Sequence, residues 1–131
     1  MRKFFTIIAA ALLFVSCSSP EAKLDSYFKA LQKQLPMKIE QDLTLTEAYK
    51  DGNTCVQVLR YTDITKDQVE DSDRYAQILK TKFLSELGTL RETDPMLKVA
   101  LPIKKTIKYI YKDLNGDEIF TIDITPDDYS N

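Results

Sequence analysis

Histidine is absent from this 131-residue chain. Its absence removes the commonest general base and the commonest transition-metal ligand together, so triads that work through imidazole are excluded. Tryptophan is absent too, and the three glycines are too few and too scattered to cradle a phosphate. Neither a P-loop nor a dinucleotide fingerprint is present. A nucleophile would have to be serine, threonine, lysine or Cys55 acting without histidine. The residues point to a non-enzyme, with no cofactor and no metal site.

Long apolar runs are also scarce. The clearest one extends from Phe4 to Val15, follows Arg2 and Lys3, and gives way to small residues at Ser16-Cys17-Ser18-Ser19-Pro20. It falls short of the roughly 20 residues that a spanning helix needs, and it has the three-part layout of a secretory signal. With Ser16 before Cys17 and serines after it, the end of this signal resembles a bacterial lipoprotein lipobox, although Phe14 stands where leucine is commonest. The resemblance covers about the first 20 residues and implies cleavage before Cys17, whose sulfur carries a diacylglycerol. The new amino group can then be acylated as well. Lipidated in this way, Cys17 becomes a lasting anchor, because two or more acyl chains hold a membrane where one holds it only marginally. Ser18 in place of an aspartate implies outer-membrane sorting, with the domain facing the periplasm. The alternative is an ordinary secretory signal cut between Ser16 and Ser19, with Cys17 incidental.

Cysteine is nearly absent as well, with Cys17 and Cys55 the only two. Lipid on Cys17 would leave Cys55 as a single thiol unable to form an internal disulfide, and it reads as a small buried apolar residue. Removing residues 1–16 takes away Arg2 and Lys3 but no acid, so the 18 basic side chains fall to 16 against 20 acids, a net charge of −4. That balance argues against nucleic acid and against a polybasic membrane patch. The expected organisation is a signal peptide over 1–16, a lipid-anchored linker over 17–20, one domain over 21–126 and an acidic tail over 127–131.

Within the domain, Ser19 and Pro20 read as the cap and first position of a helix. Its apolar stripe is Leu24, Tyr27, Phe28, Leu31 and Leu35, and Pro36 ends it. Residues 37–49 alternate as one half-buried strand, which turns at Asp51-Gly52 and returns over 55–62. Thr65 and Gln68 form a capping box for a second helix with Val69, Ala76, Leu79, Phe83 and Leu87 in its stripe, Tyr75, Ile78 and Leu84 at its edges, and Gly88 to close it. Residues 89–104 read as a short helical turn and an extended lead. Asn115-Gly116 marks a last hairpin pairing Tyr111 with Phe120, Tyr109 with Ile122 and Ile107 with Ile124 on one face. Its other face pairs Lys112 with Ile119, Ile110 with Thr121 and Lys108 with Asp123.

This order of helix, hairpin, helix, hairpin predicts an α+β fold (αββαββ), with a mainly antiparallel four-stranded sheet covered by helices on one face. From Leu35-Pro36 to the stretch holding Tyr109, Tyr111, Asp113, Gly116 and Ile119, the chain resembles small exported bacterial proteins of unassigned activity. Asp113-x-Asn115-x-Asp117 copies the start of a calcium loop. The copy fails at Glu118, where glycine is needed, and at Ile124, where a bidentate glutamate is needed. Glu70, Asp71 and Asp73 read as acids at a helix start. The seven tyrosines read as packing, Tyr61 excepted.

The resulting functional expectation is a membrane-tethered, non-enzymatic lipoprotein that binds an envelope protein, helps assembly or self-associates. Its alternative is an inhibitor or immunity-type protein that presents residues 89–104 as a blocking loop. In the expected register of the first hairpin, Ala48, Cys55, Leu59 and Tyr61 share an outward face without lysine or arginine. They form the candidate partner face, unless residues 89–104 cover it.

Overall fold

The computed structural model describes residues 19–130, so Cys17 and the signal segment lie outside the described residues. Helix α1 (Pro20–Gln32) starts as its sequence dictates: the amide of Ala22 donates to Ser19 Oγ at 3.2 Å, and Pro20 takes the first turn. Its buried stripe is Leu24, Tyr27, Phe28 and Leu31. Five strands follow, β1 (Met37–Glu40), β2 (Leu43–Asp51), β3 (Thr54–Tyr61), β4 (Thr106–Lys112) and β5 (Glu118–Ile124), lying side by side in chain order. Between β3 and β4 run α2 (Ser72–Ser85), α3 (Leu87–Thr93) and α4 (Pro95–Ala100), and α5 (Pro126–Tyr129) closes the chain.

The α+β class stands, with three corrections to its details. The sheet has five strands, because residues 37–49 turn back at Gln41-Asp42 and pair with themselves as β1 and β2. Met37 and Ile39 pack against the same core that holds Leu43 and Leu45, so alternation continues through the turn and hides it. Second, β3 pairs with β4 in parallel while every other pair is antiparallel. The long helical crossover returns the chain to the starting end of β3, as a parallel neighbour requires. Third, residues 127–129 are not a loose tail: they form most of α5, whose Tyr129 hydroxyl donates to the carbonyl of Lys105 at 2.5 Å.

The helical segment also departs from expectation. The Thr65/Gln68 capping box exists but caps a single 3-10 turn, Lys66–Gln68. The long helix starts later, with the Asp71 carboxylate accepting from the amide of Arg74 at 3.2 Å. Gly88 lies inside α3 and is not a stop. Residues 89–104 are no exposed loop, since Leu90, Met96, Leu97, Ala100 and Leu101 are all buried. Asp94 caps α4 by accepting from Met96 and Leu97 at 2.9 and 3.3 Å.

The core lies between the helices and one face of the sheet. Strand β3 contributes Cys55, Leu59 and Tyr61, β4 contributes Ile107, Tyr109 and Tyr111, and β5 contributes Phe120, Ile122 and Ile124. An aromatic row crosses this face. Tyr61 stacks on Tyr111 at 6.1 Å, Tyr111 on Phe120 at 4.7 Å, and Phe120 meets the edge of Tyr75 from α2 at 5.5 Å. Offset and edge-on geometries of this kind contribute beyond the area they bury.

Candidate functional site

The expected partner face is the core. Ala48, Cys55, Leu59 and Tyr61 are 2%, 0%, 0% and 8% exposed, all within the helix-covered layer. The cause is a β-bulge at Thr46, between Leu45 and Glu47 in the β2/β3 ladder. One extra residue reverses alternation, so Leu43, Leu45 and Ala48 all point to the helices while Tyr49 points away. The turn also differs from expectation, since Asp51 pairs with Thr54 and leaves Gly52-Asn53, not Asp51-Gly52, as the loop; Tyr49 therefore pairs with Val56 and, beyond the bulge, Leu45 with Leu59 and not with Val58. Burial pushes the Cys55 thiol up to about 12, as suits a small core residue.

The outer face of the sheet is mostly polar at its sides. Lys108 and Asp123 pair there at 3.7 Å, as expected. Val56 and Val58 lie between Tyr49 and Glu47 of β2 on one side and Lys108 and Ile110 of β4 on the other, and both are buried. Lys112 pairs with Glu118 across a second irregularity, which turns Ile119 into the core.

Asp113 organises its loop. Its Oδ1 accepts from the amides of Asn115 and Asp117, both at 2.9 Å, and its Oδ2 accepts from Lys66 at 2.8 Å. Burial alone would raise the carboxyl, but hydrogen bonds from the backbone of Lys66, Asp117, Asn115 and Gly116 bring it below the usual value. Among the described residues no cluster of acids and cysteine could hold a metal ion. Ser26 and Lys29 have Ser-x-x-Lys spacing, but both lie on the exposed side of α1.

Asp113 matters because of what it fastens. The strap from Ile64 to Asp71 is bound to the β4–β5 turn by the Lys66 amide on Asp113 and by the Leu114 amide on the Ile64 carbonyl at 3.0 Å, while Arg60 of β3 holds the same turn by donating to the Leu114 carbonyl at 2.5 Å. Asp71 then enters α2 with φ 50°, in the left-handed region. This sharp entry opens a groove of about 430 Å³ between the strap and the first turns of α2. Ile64, Val69, Tyr75 and Ile78 give it an apolar floor, with Gln68 and Arg74 among the polar residues at its rim. Ile78 is 52% exposed, the most exposed large apolar side chain among the described residues. Sequence reading placed Ile78 and Tyr75 only at the edge of the helix stripe. The groove itself depends on the strap, for which the sequence carried only the capping box.

A second groove, about 940 Å³, lies between the end of α2, α3 and α5, and is lined by Leu84, Leu87, Arg91, Leu101 and Tyr129 among others. No large apolar side chain protrudes from it. No described helix is long and apolar enough to cross a membrane.

No protein-family model matches the chain, and no curated protein matches it in sequence. Solved structures do match in fold. A protein of Pseudomonas aeruginosa described as secreted aligns at TM-score 0.55 and 14% identity, over 86% of this chain and 97% of its own. The pilotin EpsS of the Vibrio vulnificus type 2 secretion system aligns at 0.56 and 14%, over 83% of this chain and 90% of its own. The type II secretion system pilotin AspS of Vibrio cholerae aligns at 0.54 and 14%, over 83% and 91%. At this identity, fold is what the four chains have in common.

Proposed function

We propose that this chain is a non-enzymatic module of the bacterial envelope, anchored in the outer membrane through lipid on Cys17, facing the periplasm and binding a protein partner during assembly. The fold it shares with two pilotins over more than four-fifths of each chain supports an assembly role. The observation that carries protein binding is Ile78 of α2, held half in solvent in a groove shared with Tyr75 and with Ile64 and Val69 of the strap that Asp113 fixes. An exposed aliphatic chain in an apolar groove with a polar rim suits an apolar side chain of a partner protein. A blocking-loop inhibitor has less support, because residues 89–104 are folded into the core.

The test is a photo-crosslinking residue placed at Ile78 in growing cells, with a second placed at Thr121 on the outer sheet face. The expected result is a discrete adduct from position 78 that disappears with Ile64→Lys, and no adduct from position 121. Absence of an adduct at 78, or the same adduct from both positions, would overturn the assignment.

A further inference from the structure

The tether and the first helix together constrain how the domain sits on its membrane. Helix α1 begins at Pro20, three residues after Cys17, and its first turn is already fixed to the body. Glu21 binds Lys105 at 2.9 Å through one oxygen and Lys50 through the other, and Lys50 also binds Asp25 at 2.6 Å. Leu24, one turn in, is completely buried. Three residues reach at most about 11 Å even when fully extended.

The same contacts define one end of the sheet. Lys50 lies beside the turn of β2 and β3, Asn53 donates from its side chain to the Lys104 carbonyl at 3.0 Å, and the Thr106 amide donates to the Asn53 carbonyl at 2.9 Å. The opposite end carries Asn115, Gly116 and the strap. Strand β4 separates the two ends with seven residues, about 23 Å at the usual rise. That separation is about twice the reach of the tether.

We infer that the end formed by the Asp51–Asn53 turn, Lys104 and the start of α1 lies against the lipid headgroups, and that the Asn115 end, with the Ile78 groove behind it, projects away from the bilayer. This orientation rests on the lipid anchor proposed at Cys17. The contact is with headgroups and not with acyl chains: Asp51, Gly52, Asn53 and Lys104 are exposed and polar or without a side chain, Ile78 lies on α2, and Tyr49, two residues before the turn on the outer face of β2, is only 36% exposed and ends in a hydroxyl. A lipid surface meets hydrogen-bonding groups and mixed charge there, so the covalent anchor supplies the affinity and the fixed helix supplies the direction.

The test uses the mature protein extracted from membranes and reconstituted into phosphatidylethanolamine/phosphatidylglycerol vesicles that contain a headgroup-attached nitroxide lipid. One variant carries a fluorophore on Asp51→Cys and another on Asn115→Cys, with buried Cys55 left in place. The expected result is loss of most fluorescence at position 51 and none at position 115. Equal quenching of the two labels on vesicle-bound protein would overturn the orientation while leaving the anchor intact. Protein that fails to float with the vesicles, and carries no Cys17-dependent fatty acid, would overturn the anchor and the orientation with it.

Discussion

Replacing Leu59 by alanine tests the bulge at Thr46, on which the whole assignment of faces depends. Leu59 is 0% exposed on the central strand, with Leu45 and Tyr111 opposite it on the two flanking strands. Truncation removes the transfer free energy of the lost methyl groups and leaves a cavity between the sheet and the helices that cover it, for a total of about 2 to 5 kcal/mol. A domain of this size has a stability of roughly 6 to 16 kcal/mol, so the loss is a large fraction of the whole. At about 4 °C per kcal/mol, the melting temperature should fall by roughly 8 to 20 °C. Tyr49→Ala is the matching control. Its ring is 36% exposed on the outer face, so the cost should be about 1 kcal/mol. Uninterrupted alternation along β2 would reverse the order, with Tyr49 inside and Leu59 outside. Urea titrations of both variants distinguish the two, read as midpoint shifts at unchanged slope. A larger shift for Tyr49→Ala than for Leu59→Ala would refute the reasoning.

Other consequences concern buried charge and the strap. Burial pushes the Asp94 carboxyl up to about 7, against the amides of Leu97 and Met96 that draw it down. The folded state therefore holds a proton that the unfolded chain releases near pH 4. The resulting stability is complete below about pH 4 and lost as pH rises through about 7, with a slope of at most about 1.4 kcal/mol per pH unit. Asp94→Asn keeps the cap and should remove that slope in denaturation measured from pH 4 to 7; an unchanged slope would assign the titration elsewhere. Asp113 has the opposite sign, because its carboxyl is held low: its contribution is present above the ordinary aspartate value and is lost as pH falls through the folded one. Asp113→Ala should speed hydrogen exchange at the amides of Lys66, Asn115 and Asp117 while leaving the amides of α1 unchanged. Uniform acceleration would mean that Asp113 supports global stability and not the strap.

Much of this architecture could be read from residues whose physics is local. The Ser19-Pro20 helix start and the Asn115-Gly116 hairpin needed only capping and turn chemistry, and the pairs Tyr111 with Phe120 and Lys108 with Asp123 are found as expected. What escaped was non-local or periodic in a misleading way. The turn at Gln41-Asp42 contains no glycine or proline and leaves the two-residue period unbroken. The bulge at Thr46 reverses that period without any local signal, although Thr46 Oγ1 bonds the Val58 carbonyl at 3.3 Å once the strands are paired. Strand β3 is apolar on both sides, from Cys55 and Val56 to Leu59 and Tyr61, so its own sequence could not choose the core face. The candidate face was misplaced for that reason. The groove under Ile78 was illegible because it is made by a strap that a carboxylate 47 residues away holds in place.

The account turns on Cys17, since an envelope module held within about 11 Å of a bilayer is a different object from a freely diffusing secreted domain. The most direct measurement is the intact mass of the mature protein isolated from membranes, together with the mass of its N-terminal peptide. A chain that begins at Cys17 and carries a diacylglycerol on the sulfur, with Cys17→Ser abolishing the modification, is the result expected. A mature chain that is unmodified, or begins after Cys17 in the soluble fraction, would contradict the central claim.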